Sequence, residues 1–341
     1  MDSVKGLVES NRLMSSIPSK YVCIQCPEDS LYCQSDVIVP TIDFSKLTSC
    51  DPSERSRATQ QLGDSCRDWG FFLLINHGLP ETLRDGLVRA CVSFFNLTEE
   101  EKKEFQGSSV SDPIRCGTSF NPNVEKRLFW RDYLKLQVHP RFHAPTKPPS
   151  LSETIEEYCE KSRAVAEELL KGISRSLGME ENSIYEKMNV RLGTQMFVVN
   201  YYPPCPSPEL ARGLPEHTDH GLLTLLMQNN QDGLQIHHDG KWVSVHPPPN
   251  SLMINTGDHM EILTNGKYKS VLHRAMVNNK AARISIGTAH GPSLDTTVAP
   301  SSELITEAHP PAYRGITYRD YMLLQQTNPL HAKSCLDRIR I

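Results

Sequence analysis

No apolar stretch in the 341 residues approaches the roughly 20 needed for a helix to cross a bilayer, so no membrane-spanning helix is expected. The chain also lacks a basic run. Its formal net charge is −4 with acids and bases interspersed, which removes the electrostatic footprint of a nucleic-acid binder or of a protein drawn to anionic lipid. There is no internal repeat and no low-complexity tract, so a solenoid or a disordered linker is not its organising principle. The opening MDSVKGLVESNRLMSSIPSK has neither the apolar block of a secretory signal nor the arginine content of a transit peptide. A cytoplasmic address is expected on those grounds, with the nucleus open to a protein of this size.

What is present is ordinary globular material. Hydrophobic residues make up 38% and charged residues 22%, enough for one large domain or two intimate ones. The ten cysteines are scattered, and with no signal segment they read as reduced thiols. Cys23 and Cys26 have metal-like spacing with Cys33 nearby, but a fourth ligand is not evident, so a zinc site is not expected there.

The chain divides by texture. Residues 1–37 are polar and weakly patterned, an arm or short helix laid on the body. Residues 38–150 begin with VPTIDFSKL, a short strand that Pro40 restricts to a sheet edge, and continue with a helix over 54–67. DWGFFLLINHGLP is a buried strand, and ETLRDGLVRACVSFFNL has helical spacing. A polar stretch to about 127 precedes WRDYLKL, another strand, and a proline-rich connector. Residues 151–193 hold the clearest amphipathic helix, ended by Gly178. Residues 194–295 change character: QMFVVNYY, LLTLLMQ, GLQIHH, WVSV, SLMIN and ARISIGTA are short strands separated by DG, PPPN and NG turns, which indicates a closed or sandwich-like β fold. Residues 296–341 return to helix. The expected plan is α+β, mainly β, with a helical N-terminal half packed on a β-barrel.

The chemistry concentrates in the β-rich segment. In LPEHTDHG, His217 and Asp219 are two apart and leave the same face of an extended strand. His273 in SVLHRAM can complete a set of two histidines and one carboxylate, the facial arrangement that leaves three positions of an octahedral Fe(II) open. Arg283 and Ser285 share one face of ARISIG, and a guanidinium fork with a hydroxyl beside it suits a carboxylate. The implied ligand is a small dicarboxylate reaching from the metal to Arg283. Asn200 and Tyr202 share a face of NYYP. Other histidines read as structural: His220 points to the opposite face from Asp219, His77 is a hydrogen-bonded turn residue, His237 and His238 are exposed beside a turn, and His259 belongs to the barrel rim, with a role near the substrate as its alternative. Cys205 is a small buried residue.

These residues, with NYYPPCP and DWGFFLLINHG, resemble the plant 2-oxoglutarate- and Fe(II)-dependent dioxygenase family over residues 38–325 or so. The resemblance extends to Pro40–Phe44 and Trp69–Gly78 in the N-terminal part. It implies a double-stranded β-helix, or jelly-roll, core at 194–295 with flanking helices. It further implies Fe(II) on His217, Asp219 and His273, and 2-oxoglutarate held by Arg283 and Ser285 and oriented by Asn200 and Tyr202. O2 is the second cosubstrate, ascorbate keeps the iron reduced, and succinate and CO2 are released. A monomer acting on a small molecule is the expected working unit.

For the substrate, the resemblance is to the branch with salicylate-hydroxylating and flavone-forming enzymes, through GTSFN and WRDYL. A plant phenolic, hormone or specialised metabolite is expected, with hydroxylation as the outcome. Tyr133, Lys135, Phe120, Val198, Ala289 and His290 are the positions expected to line its space. Flavonoid-oxidising members carry a phenylalanine where this chain has Ala289, which speaks against a flat flavonoid stacked there. Lys135 either pairs with an acidic substrate or is solvated at the rim. Competing readings are an ascorbate-using oxidase on the same scaffold, a non-catalytic ligand-binding relative, and a zinc hydrolase.

Overall fold

The computed structural model describes residues 3–11, 14–23, 33–34, 37–109, 111–120, 125–328 and 332–341. Cys26 and the Cys33 side chain, weighed above for zinc, lie outside the described residues, as does Asn121 of GTSFN.

Two sheets form the core among those residues. The larger has the strand order β2–β3–β11–β8–β13–β6–β5–β4, and the smaller β1–β10–β9–β12–β7. In chain order the strands are β1 (Cys33–Gln34), β2 (Thr41–Asp43), β3 (Phe71–Ile75), β4 (Ile114–Thr118), β5 (Asp132–His139), β6 (Thr194–Tyr202) and β7 (Leu214–His217). They continue with β8 (Leu223–Gln228), β9 (Leu234–His238), β10 (Lys241–Ser244), β11 (Leu252–Thr256), β12 (His273–Ala275) and β13 (Arg283–Gly291). From β6 to β13 the chain crosses between the sheets at every step except β9 to β10, which is the jelly-roll path.

The main helices are α1 (Val4–Ser10), α2 (Pro52–Asp68), α3 (Glu81–Phe95), α4 (Leu151–Ser176), α5 (Asp258–Leu263), α6 (Tyr318–Thr327) and α7 (Ser334–Ile339). α4 packs on α2 and α3 and buries Ile155, Cys159, Leu169, Leu170 and Ile173 against the outer face of the large sheet. Gly178, at φ +75°, closes it as the left-handed residue that an alanine would resist, and the Met179 N–H returns to the Ser174 carbonyl.

β3 shows why an unbroken apolar run can be a strand. Phe72 and Leu74 join the cluster under the helices, whereas Phe71 and Leu73 join a second cluster with Ile236, Val243 and Met253. Both faces are buried, so the alternation disappears. β2 is the edge strand that Pro40 implied.

One expectation is corrected. The N-terminal half is not simply a helical layer on the barrel: β2, β3, β4 and β5 are four strands of the large sheet. β4 was hidden because IRCGT alternates between buried Cys116 and Thr118 and the cavity-facing Arg115 and Gly117, so neither face reads as apolar.

Candidate active site

The interior face of the large sheet forms the floor of a cavity, and the strand register lays its residues out in rows. Gly117, Tyr133, Asn200 and Ser285 are successive cross-strand partners on β4, β5, β6 and β13. Arg115, Lys135, Val198, Gly287 and Leu226 form the next row, and Met196, Ala289, Thr224, Asn255 and Phe71 lie in the one beyond. The enclosed space open to the centre of a water molecule is about 180 Å³.

The small sheet supplies the opposing wall. His217 ends β7 and His273 begins β12, and the two are direct cross-strand partners with ring centroids 4.2 Å apart. The His217 Nδ1 lies 2.8 Å from the Pro215 carbonyl, and the His273 Nδ1 lies 3.1 Å from the Val271 carbonyl. A carbonyl only accepts, so each Nδ1 carries the proton and each Nε2 presents its lone pair to the cavity. Asp219 Oδ1 sits 3.8 Å from the His217 Nε2 and 3.6 Å from the His273 Nε2. All three donor atoms fall within 4.8 Å of one another, a spacing that one metal ion can bridge.

Asp219 reaches this point by a route the sequence did not indicate. β7 stops at His217, and the carboxylate stands on the loop that follows. That loop is fixed by α5: the Asp258 N–H donates to the Asp219 carbonyl and the His259 N–H to the Gly221 carbonyl. Gly221, at φ +92°, passes so close to the His290 carbonyl that a Cβ would sit 2.8 Å from it. The Asn255 amide holds Asp219 Oδ2 at 3.0 Å, leaving Oδ1 for the centre. Burial pushes the Asp219 carboxyl up, yet the two imidazoles and the Asn255 amide outweigh it and hold the group ionised. Burial and then His273 push the His217 imidazole down, towards the neutral form a ligand requires.

Across the cavity Arg283 is 1% exposed. Its Nη2 donates to Gln228 Oε1 at 2.9 Å, and its guanidinium stacks 5.0 Å from the Tyr202 ring. The Nη1 is buried with no hydrogen-bond partner, a donor that costs energy unless a ligand oxygen meets it. Ser285, two residues along, faces the same way, and Asn200 accepts from Arg131 Nη1 at 2.6 Å, which turns its amide N–H groups outwards as donors. Two histidines with a carboxylate at one end and an unpaired arginine donor beside a hydroxyl at the other fit Fe(II) and a small dicarboxylate.

Most of the expected lining residues are here: Tyr133, Lys135, Phe120, Val198 and Ala289 all face the cavity. Lys135 is half-buried on the cavity floor rather than on the outer surface. His290 is the exception. One residue beyond Ala289 it emerges on the other face of β13, in a separate minor cleft beside His139 and Arg163, where burial pushes its imidazole down to about 3. It does not line the substrate space.

Other histidines are also relocated. His220 binds the Tyr318 hydroxyl through Nδ1 at 2.8 Å and stays out of the triad. His259 is not at a rim but fully buried on α5, its Nδ1 accepting from the Gly221 N–H and its ring edge against Tyr318 and Tyr321. His238 is half-buried, stacked 3.6 Å from Trp69, and His237 packs edge-on to Trp242, so neither is free in solvent. His77 is buried and bonded to the Asn250 carbonyl, and Cys205 is buried, as expected.

Residues that the sequence left unmarked include Arg115, Arg131, Asn255 and Gln326, all on the cavity wall. Asn255 had a signal: a lone amide inside the apolar run SLMIN. Arg115 and Gln326 had none, because their elements look like polar surface.

Residues 193–292 match the model of the 2OG-Fe(II) oxygenase superfamily, and residues 39–155 that of the non-haem dioxygenase in morphine synthesis N-terminal family. The 2-oxoglutarate-dependent dioxygenase 19 of Oryza sativa subsp. japonica is 46% identical over 304 residues, 89% of this chain and 90% of that protein. The flavanone 3-dioxygenase 2 of the same plant is 37% identical over 97% of this chain and 96% of its own. Among solved structures, the crystal structure of JOX2 in complex with 2OG, Fe, and JA superposes with a TM-score of 0.89 at 32% identity, covering 100% of this chain and 98% of that one.

Proposed function

Because this chain belongs to the 2OG-Fe(II) oxygenase superfamily, we propose that its oxidation is the hydroxylation of a plant phenolic, hormone or specialised metabolite at the triad of His217, Asp219 and His273. The enzyme is a 2-oxoglutarate- and Fe(II)-dependent dioxygenase acting on a small molecule. The observation that carries the residue assignment is the buried, unpaired Arg283 Nη1 beside Ser285, facing the triad across the cavity.

Iron(II) with 2-oxoglutarate and O2 supplies the oxidising power, with succinate and CO2 as by-products. The chain's own residues do the rest. His217 and His273 give neutral Nε2 lone pairs, fixed by the Pro215 and Val271 carbonyls, and Asp219 gives the single anionic ligand. Arg283 and Ser285 take the distal carboxylate, and Gln228 and Tyr202 hold the guanidinium in place. Asn200, set by Arg131, donates from the neighbouring strand. Tyr133, Val198, Phe120 and Ala289 bound the space where a C–H bond is presented and water is displaced. Ascorbate as reductant, a monomer as the working unit and a cytoplasmic setting belong to the same reading.

The test is anaerobic. Fe(II) and then 2-oxoglutarate are added to the apo-protein, and a weak charge-transfer band at roughly 500–530 nm is expected only when both are present. Replacing Arg283 by Leu should shift that band's dependence to higher 2-oxoglutarate. A folded, iron-binding protein with no band would instead point to an oxidase that draws its electrons from ascorbate.

A further inference from the structure

One row along the floor from Ser285, the cavity carries a second set of cations. Arg115 on β4 and Lys135 on β5 are direct cross-strand partners, and both line the cavity. Like charges placed opposite one another on adjacent strands repel, and here they do so away from bulk water. Among the described residues no carboxylate forms an ion pair with either. The two acids whose charge reaches them are engaged elsewhere: Asp112 accepts from the Ser108 and Ser109 N–H groups, and Asp219 serves the imidazoles and Asn255. Arg115 donates one N–H to Gln326 Oε1, which sets the guanidinium from the C-terminal side.

Loading the centre does not relieve the repulsion. Iron(II), a 2-oxoglutarate dianion, the Asp219 carboxylate and the Arg283 guanidinium sum to no net charge, so Arg115 and Lys135 remain without a counter-ion. The same cavity carries the apolar side chains of Phe120, Val198, Met196 and Leu226, beside polar ones such as Thr224 and Gln325. A fold that keeps two cations in such a place has a use for an anion there.

We infer that the primary substrate is a compact organic acid whose carboxylate is held between Arg115 and Lys135, with its hydrocarbon or aromatic body running over Val198 towards the triad. This rests on the dioxygenase reading above and narrows its substrate class. Those apolar side chains suit a carboxylate on a hydrophobic frame better than a phosphorylated sugar. Burial, and then Arg115 and Arg131, push the Lys135 ammonium down to about 7, and a bound carboxylate would return it to full charge.

The experiment uses the full chain, anaerobic and loaded with Fe(II) and saturating 2-oxoglutarate, so that Arg283 is occupied and turnover is off. Benzoate and cyclohexylacetate are titrated against their methyl esters by ligand-observed NMR. Charge-assisted bonds to two cations predict that the acids bind about tenfold tighter or better. Lys135→Met should erase the preference and Lys135→Arg should keep it, while affinity for 2-oxoglutarate stays within about twofold in both. Arg115→Leu should reduce the preference as well, which guards against a local effect of the Met side chain. Esters binding as well as acids, acids not binding at all, or a preference that survives Lys135→Met would each overturn the inference. A wild-type protein that fails to take up 2-oxoglutarate sinks the dioxygenase assignment itself, and this inference with it; a loaded protein indifferent to acids sinks only the inference.

Discussion

His217 and His273 face each other across one pair of strands, and the atoms behind them decide which nitrogen each presents. The Pro215 and Val271 carbonyls choose the tautomer, and Asn255 takes the spare oxygen of Asp219. Asp219→Ala removes the anionic ligand from a loop whose backbone is held by α5, so the fold should persist while iron binding and turnover are lost. Circular dichroism and an Fe(II) titration check both halves, and near-normal activity would defeat the metal assignment. Arg283→Leu removes charge-assisted bonds to the distal carboxylate, worth about 1.5–3 kcal/mol, so the KM for 2-oxoglutarate should rise by about ten- to a hundredfold with iron affinity little changed. Equal loss of both would mean the dicarboxylate site lies elsewhere. At this scale the sequence was informative: His217 with Asp219, and Arg283 with Ser285, were readable as candidate pairs two residues apart, and His273 as a third ligand from a distant segment. What it could not show was direction. His290 sits beside Ala289 in the chain but on the other side of the sheet, and for Lys135 the sequence left two settings open, the substrate space or a solvated rim.

Among the elements, α5 joins the site to the end of the chain. Its Asp258 accepts from the Tyr321 hydroxyl of α6, and its Glu261, 2% exposed, gathers the Tyr313 hydroxyl, the Ser270 N–H and Lys333 Nζ at 2.7–2.9 Å. Burial raises the Glu261 carboxyl, but Lys333 and these donors outweigh it, so its folded value lies below the ordinary 4.5. A depressed carboxylate stabilises the fold at pH above 4.5, and that contribution fades as pH falls through the lower folded value. Glu261→Gln should therefore cost about 1–3 kcal/mol at pH 7. Urea unfolding followed downwards from pH 7 should show the gap between variant and wild type narrowing below about pH 4.5; a constant gap would show that the charge is not what matters. Elements with one clean period, such as α4 and β5, were legible in the sequence. β4 was not, because the alternating faces of IRCGT carry small or polar side chains, with Arg115 and Gly117 on one and Cys116 and Thr118 on the other, and too little apolar character to mark a strand.

For the molecule as a whole, the large exposed apolar side chains among the described residues are Ile38, Leu192, Leu210, Leu323 and Ile341, spread along the chain rather than gathered in one element. Sedimentation at the mass of a single chain is expected at micromolar concentration, and a dimer mass that persists on dilution would contradict the proposed monomer. The two sheets divide the labour. The imidazoles stand on the small sheet, and Arg115, Lys135, Asn200, Arg283 and Ser285 stand on the large one. The site is thus the gape of a vice, and its width is set by the side chains wedged between the jaws some distance from the chemistry. Trimming or enlarging those wedges would leave every reacting group intact while sliding the workpiece, so that the enzyme would oxidise a different carbon of the same molecule.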